Sequence, residues 1–261
     1  MSRVSISYKD HIAHVTLTRG DKRNALDEAM VKAIIAAGQE VAASDARAVL
    51  LSGEGESFCA GLDLGSFAGF MQRDLAAWLM ERSHEDANEM QEVAMVWRRV
   101  PVPVIAAVQG ACFGGGLQLA LGADIRVAGP DARLSVMEMK WGLVPDMGGM
   151  VLLPGLVQPD VLRRLTYTAE TVPAEKALAW GLVTELAEDP LARARQLAAE
   201  IAARSPSAIR AAKRLIAYAE SGASRADVLL RESAEQLDLI GKPDQMEAVA
   251  AGLSGRRPNF A

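Results

Sequence analysis

Val104-Ile105-Ala106-Ala107-Val108-Gln109-Gly110-Ala111-Cys112-Phe113-Gly114-Gly115-Gly116-Leu117-Gln118-Leu119-Ala120 is the stretch on which the fold turns. Its first five residues form an apolar run, preceded by Pro101 and Pro103 and closed by Gly110. That is the pattern of a short strand buried on both faces, as in parallel sheets. Three consecutive glycines then open a short apolar helix. A helix that starts on glycines leaves its first backbone N–H groups unobstructed, and such a terminus suits an anion or a developing oxyanion. Close strand–helix packing also asks for glycine, so the cluster alone leaves both readings open. It is neither the dinucleotide pattern G-x-G-x-x-G nor a phosphate loop, because no Gly-Lys-Ser/Thr follows.

The same grammar recurs on either side. Residues 48–52 are a second continuous apolar run, closed by Gly53-Glu54-Gly55 and followed by the small-residue turn Ser57-Phe58-Cys59-Ala60-Gly61-Leu62-Asp63-Leu64. Alternating polarity predicts strands over 5–8 and 11–17, with Lys9–Asp10 as the hairpin turn. Asn24 is a candidate cap for a helix on which Leu26, Met30, Ile34 and Val41 recur. Residues 74–99 read as one long amphipathic helix stopped by Pro101, with His84 on its polar face. Its Trp78, Met80, Met90, Met95 and Trp97 are either core or the lining of an acyl channel. Short strands are expected at 125–128 and 133–136, and helices almost throughout from Pro159. Strands separated by helices predict an α/β layered core over residues 1–190, with residues 191–261 as a C-terminal helical region.

Composition narrows the function classes. The 261 residues are 50% hydrophobic and 23% charged, with a net charge of −5 and a pI near 5.4. Lys and Arg never run beyond two in sequence, which argues against nucleic acid as a partner. The first 17 residues lack a secretory pattern, and no apolar stretch reaches the roughly 20 residues of a membrane span, so a cytoplasmic protein with no membrane partner is expected. Cys59 and Cys112 match no metal spacing and read as small buried hydrophobes; His11, His14 and His84 form no metal or triad pattern. No metal and no separate cofactor are expected, and no G-x-S-x-G nucleophile elbow is present.

Taken in order, these motifs resemble the crotonase (enoyl-CoA hydratase/isomerase) superfamily. The resemblance runs through Arg23-Asn24-Ala25-Leu26, Ser57-Phe58-Cys59-Ala60-Gly61-x-Asp63, and Ile105-Ala106-Ala107-Val108-x-Gly110-x3-Gly114-Gly115-Gly116. It continues in Glu138-x3-Gly142-x2-Pro145 and Ala179-x-Gly181-Leu182-Val183, and ends at Gly255-Arg256-Arg257-Pro258-Asn259-Phe260. It implies a spiral of β-β-α turns with a C-terminal helical region, a homotrimer or dimer of trimers, and an acyl-CoA substrate that brings its own coenzyme A. It further implies an oxyanion hole made by the backbone N–H groups of Leu62 and Gly115. Arg23, Ala25, Ala60, Gly61, Leu62, Asp63 and Gly114 would then contact the thioester or its CoA arm, although the exposed pair Lys22-Arg23 also reads as merely solvated.

Three polar positions bear on the reaction. Hydratases of this family grip water between two glutamates, and the corresponding positions here are Gln118 and Glu138. A glutamine orients a group but cannot take its proton at neutral pH. Asp146, eight residues beyond Glu138, sits where the resembling dienoyl-CoA isomerases carry an aspartate that shares proton transfer with the glutamate. The dehalogenase branch has an aspartate near there too, but a tryptophan in place of Glu138. The expectation is therefore double-bond isomerisation, with Glu138 as base, Asp146 as partner acid/base and Gln118 as a polar positioner. Hydration with one catalytic glutamate, and acyl-CoA binding without catalysis, are the alternatives. Asp146 also reads as the N-cap of the helix after it, and Glu138 as a carboxylate in a surface turn.

Overall fold

The computed structural model describes residues 2–65, 69 and 74–260. Strands β1 (Val4–Lys9) and β2 (Ile12–Leu17) pair as an antiparallel hairpin. Its turn residues are Asp10 and His11, both left-handed (φ 51° and 61°), one position later than the sequence suggests. Two left-handed residues in a two-residue loop match the right-handed twist of the flanking strands. Helix α1 (Glu28–Ala42) is capped by Asp27, whose carboxylate accepts the Met30 N–H at 2.8 Å. Asn24 is not the cap. It is buried at φ 52°, and its amide bonds Arg19 N–H, Glu54 O and Ser57 O instead.

Strand β3 (Ala48–Gly53) lies parallel to β2 and leads through the site turn to two helices. The single helix expected over 74–99 is instead α2 (Leu75–Met80) and α3 (Glu89–Arg99). The break follows from a capping box, in which the Asn88 side chain accepts Gln91 N–H and the Gln91 side chain accepts Asn88 N–H. His84 therefore sits in the link, bridged to Ala87, and not on a helix face. Trp97 and Met90 are core, Met80 is exposed, and Trp78 donates to Glu89.

Then come β4 (Val104–Val108), β5 (Ala111–Phe113), α4 (Gly115–Leu121), β6 (Ile125–Ala128) and β7 (Arg133–Ser135). A 3-10 turn (Glu138–Trp141), α5 (Gly149–Leu152) and α6 (Pro159–Thr168) follow. Sequence reading missed β5, and it missed two shorter strands, β8 (Val172–Pro173) and β9 (Glu185–Leu186), which flank α7 (Ala174–Ala179). Both β8 and β9 are two residues long, too short for any periodicity to register. The chain ends in α8 (Pro190–Ala202), α9 (Pro206–Glu220), α10 (Arg225–Leu237) and α11 (Pro243–Ser254).

The strands form one sheet ordered β1-β2-β3-β4-β6-β9 and a smaller one ordered β5-β7-β8. Successive turns of chain give one strand to each sheet: β4 then β5, β6 then β7. The continuous apolar runs make sense because neighbouring side chains enter different cores. Val104, Ala106 and Val108 pack with the α1 and α3 side chains Ile34, Val93 and Trp97, whereas Ile105 and Ala107 pack with Ala194 and Ala198 of α8. So α8, the first helix of the 191–261 region, lies across the second face of the large sheet. Helix α9 is fastened by the buried Lys213 ammonium, which donates to Val102 O at 2.9 Å and pairs with Asp124 at 2.8 Å. No helix among the described residues is long and apolar enough to cross a membrane.

Candidate active site

Two strand ends meet at the site. After β3, residues 61–63 run alongside Leu26: Leu26 N–H donates to Gly61 O at 2.8 Å and Asp63 N–H donates to Leu26 O at 3.0 Å. Successive amides on an extended chain point to opposite sides, so the Leu62 N–H faces away from Leu26. After β5, the chain turns at Gly114 (φ 50°), the N-cap of α4, and the Gly115 N–H begins a helix with no partner inside it. The two ends are in contact: a Cβ on Gly61 would lie 2.7 Å from Phe113 O and 3.6 Å from Gly115 N. Gly61 also has φ 90°, so only glycine serves there.

The three glycines that sequence left ambiguous differ in their surroundings. Gly116 is a packing glycine, since a Cβ there would fall 2.2 Å from Cys59 O. Gly115 is backed by the Met147 sulfur, and Gly114 faces the Glu138 carboxyl, 3.4 Å from where its Cβ would be.

Above the strand ends lies a cavity of about 380 Å³ lined by Ala60, Gly61, Leu62, Leu64, Phe113, Gly114, Gly115, Met137, Glu138, Trp141 and Leu143. Its size falls in the range of small-molecule sites. Glu138 is the one acidic side chain among the described residues of that lining. It opens the 3-10 turn after β7 and is only 9% exposed, not a surface carboxylate. One oxygen, Oε1, accepts Gln118 Nε2–H at 2.6 Å, while Oε2 is buried without a partner. Burial raises the Glu138 pKa, and the nearby Asp146 charge adds to the rise.

Gln118 is buried and does not line the cavity. Its Oε1 accepts the N–H groups of Met147 and Gly149, both at 2.8 Å, so both lone pairs are engaged. It braces Glu138 on one side and the turn before α5 on the other. Asp146 is not a helix cap. The N-cap of α5 is Gly148 (φ 90°), without a side-chain bond, and Gln118 satisfies Gly149 N–H. The Asp146 carboxyl is open to solvent yet surrounded by protein atoms, and this partial desolvation raises its pKa.

The structure thus gathers Ala60, Gly61, Leu62, Gly114, Gly115 and Glu138 around one cavity. Arg23 is exposed at φ 51° and reaches the site through its carbonyl, which accepts Ala60 N–H at 2.9 Å. Ala25 lies beside it, outside the cavity lining. The Asp63 carboxylate pairs with Arg19 at 2.6 Å and accepts Gly65 N–H at 2.9 Å. Sequence reasoning missed Leu64, Phe113 and Met137 as lining residues, although each adjoins a motif position. It also missed Arg19, whose guanidinium pairs with the Asp63 carboxylate far along the chain. No group of three or more His, Cys, Asp or Glu among the described residues is placed to hold a metal.

Comparison with known proteins agrees with this architecture. The family described as enoyl-CoA hydratase/isomerase matches residues 7–260. The Delta(3,5)-Delta(2,4)-dienoyl-CoA isomerase, mitochondrial, of Homo sapiens is 33% identical over 253 residues, 94% of this chain and 77% of that protein. Its Mus musculus counterpart is 34% identical over 228 residues, covering 81% and 67%. The crystal structure of enoyl-CoA hydratase from Mycobacterium tuberculosis H37Rv superposes with TM-score 0.88 at 30% identity, covering 100% of this chain and 99% of that one. The chain carries the crotonase fold and belongs to the enoyl-CoA hydratase/isomerase family.

Proposed function

We propose that this protein isomerises double bonds in unsaturated acyl-CoA thioesters through an enolate held by the Leu62 and Gly115 N–H groups. The observation that carries the reading is Glu138 Oε2, a buried carboxylate oxygen without a partner on the cavity wall. Its neighbour Oε1 is occupied by Gln118, so Oε2 is the atom that takes the proton. Negative charge then develops on the thioester oxygen, where two backbone donors stabilise it. Asp146, exposed and outside the described cavity lining but free of capping duty, is assigned the return of a proton at the far end of the shifted double bond, and its raised pKa suits it to hold one. Two dienoyl-CoA isomerases among the relatives support the same choice.

Hydration is the second reading, favoured by similarity to crystal structures of enoyl-CoA hydratases. Against it, both lone pairs of Gln118 Oε1 are already taken, which leaves Gln118 no acceptor with which to grip a water. Crotonyl-CoA separates the two: rapid loss of conjugated thioester absorbance means hydration. The central test is E138Q, which should lower isomerase kcat by about 10²–10⁴-fold while acyl-CoA affinity holds. Unchanged turnover would remove Glu138 from the reaction. Absence of substrate α- or γ-proton exchange in heavy water would leave acyl-CoA binding alone. A homotrimer or dimer of trimers is proposed as well, supported by the exposed Leu230, Leu237, Ile240 and Leu253 near the end of the chain, and sedimentation measures it.

A further inference from the structure

Arg19 lies outside the described cavity lining, yet its guanidinium ties residues 25–27 to Asp63, two pieces of chain that frame the 61–63 turn. Its side chain is 13% exposed. Nη1 donates to Ala25 O at 3.0 Å, lies 2.6 Å from Asp63 Oδ2, and is 3.4 Å from Asp27 Oδ2. Its backbone is fixed as well: Arg19 N–H donates to the buried Asn24 Oδ1 at 2.9 Å, and Asn24 N–H returns a bond to Arg19 O at 2.9 Å. Asp63 and Ala25 flank the two rungs that align residues 61–63 with Leu26. The Asp63 carboxylate also accepts Gly65 N–H, which sets the direction of the chain leaving the turn.

The turn needs such a clamp. Gly61 sits at φ 90°, where a glycine backbone has little intrinsic preference, and only two backbone bonds hold 61–63 to Leu26. A rotation of the 61–62 peptide would swing the Leu62 N–H off the cavity without breaking the core. A largely desolvated ion pair at the next residue opposes that rotation more strongly than a neutral hydrogen bond would.

Resting on the enolate reading above, we propose that Arg19 is a positioning residue, which acts through Asp63 to hold the Leu62 N–H on the thioester oxygen. Asp63 is then part of the oxyanion support and not a contact for the CoA arm. Removing Arg19 should spare ground-state binding, which uses the rest of the cavity, and impair the step in which negative charge grows on oxygen. The loss is bounded by that of one whole oxyanion donor, about 10²–10³-fold in kcat; partial misalignment predicts roughly 10–100-fold.

The experiment compares R19M, D63N, the double variant and R19K in the full-length protein. Readouts are kcat, KM, the carbonyl stretch of a bound 13C-thioester, and melting temperature. R19M is expected to lower kcat 10–100-fold with KM changed less than about 3-fold and with the carbonyl stretch shifted up. The double variant should be no worse than the weaker single, because both act on one element. R19K should recover part of kcat, since a lysine restores the charge but not the planar fork. Unchanged kcat and carbonyl frequency in folded R19M, with only the melting temperature lowered, would reduce Arg19 to a structural ion pair and overturn the proposal. Multiplicative losses in the double variant would overturn it as well. If R19M does not fold, R19K and D63N carry the same comparison. Failure of the enolate reading shows separately, as wild-type protein that exchanges no substrate protons in heavy water.

Discussion

Replacing Gln118 by Leu tests the central brace of the site. The side chain is 2% exposed and makes three bonds: it accepts Met147 and Gly149 N–H at 2.8 Å each and donates to Glu138 Oε1 at 2.6 Å. Leucine fills a similar volume and makes none of them. Two backbone N–H groups are left without a partner, at about 1–3 kcal/mol each, and a carboxylate loses its donor, at about 1.5–3 kcal/mol. The turn can relax and admit water, so the low ends apply, together about 3.5 kcal/mol. At roughly 2–4 °C per kcal/mol, the melting temperature should fall by about 7–14 °C. Urea denaturation at fixed protein concentration measures the loss, and steady-state isomerase assays should show kcat falling with it as Glu138 Oε2 loses its aim. Gln118→Glu is the control: it keeps both acceptor positions for Met147 and Gly149, and should spare the turn while still disturbing Glu138. A Gln118→Leu variant that loses under about 1 kcal/mol with kcat intact would refute the brace.

Further outcomes follow from the same geometry. Burial raises the Glu138 pKa above its unfolded value, so the folded state holds this proton more tightly; that stabilisation is complete below the unfolded pKa and is lost as pH rises through the folded one. E138Q does not titrate, so thermal melts from about pH 4 to pH 7 should show its stability gaining on wild type; a gap moving the other way would contradict the raised pKa. Gly61→Ala places a Cβ 2.7 Å from Phe113 O at φ 90°, whereas Gly142→Ala meets φ 70° with open space around it. Chemical denaturation should show about 3 kcal/mol or more lost in the first and about 1–2 in the second. Equal losses would mean that backbone strain alone, and not the contact with Phe113, governs the 61–63 turn.

The layers and the motif positions were readable from local sequence. Runs such as 104–108 announce strands buried on both faces, because a five-residue apolar stretch between prolines and glycine has few other stable fates. Gly61 and Gly116 mark backbone that must approach other backbone, a demand local enough to be written in composition. The helix break at 81–88 was also written there, in the Asn88-x-x-Gln91 capping box, but the apolar periodicity on either side masked it.

Tertiary structure alone decided the side-chain half of the site. Asp146 precedes Met147-Gly148-Gly149 as a cap would, yet Gly149 N–H is claimed by Gln118, 31 residues away, and the aspartate is left free. Likewise Asp63 adjoins Gly61 and Leu62 in sequence, but its carboxylate pairs with Arg19 across 44 positions. Hydrogen bonds and ion pairs between distant segments depend on where the folded backbone brings them, and no local pattern encodes that distance. The glycine positions were legible because a left-handed or crowded backbone site leaves its mark on its own residue; which carboxyl lines the cavity was decided only when the strand ends met.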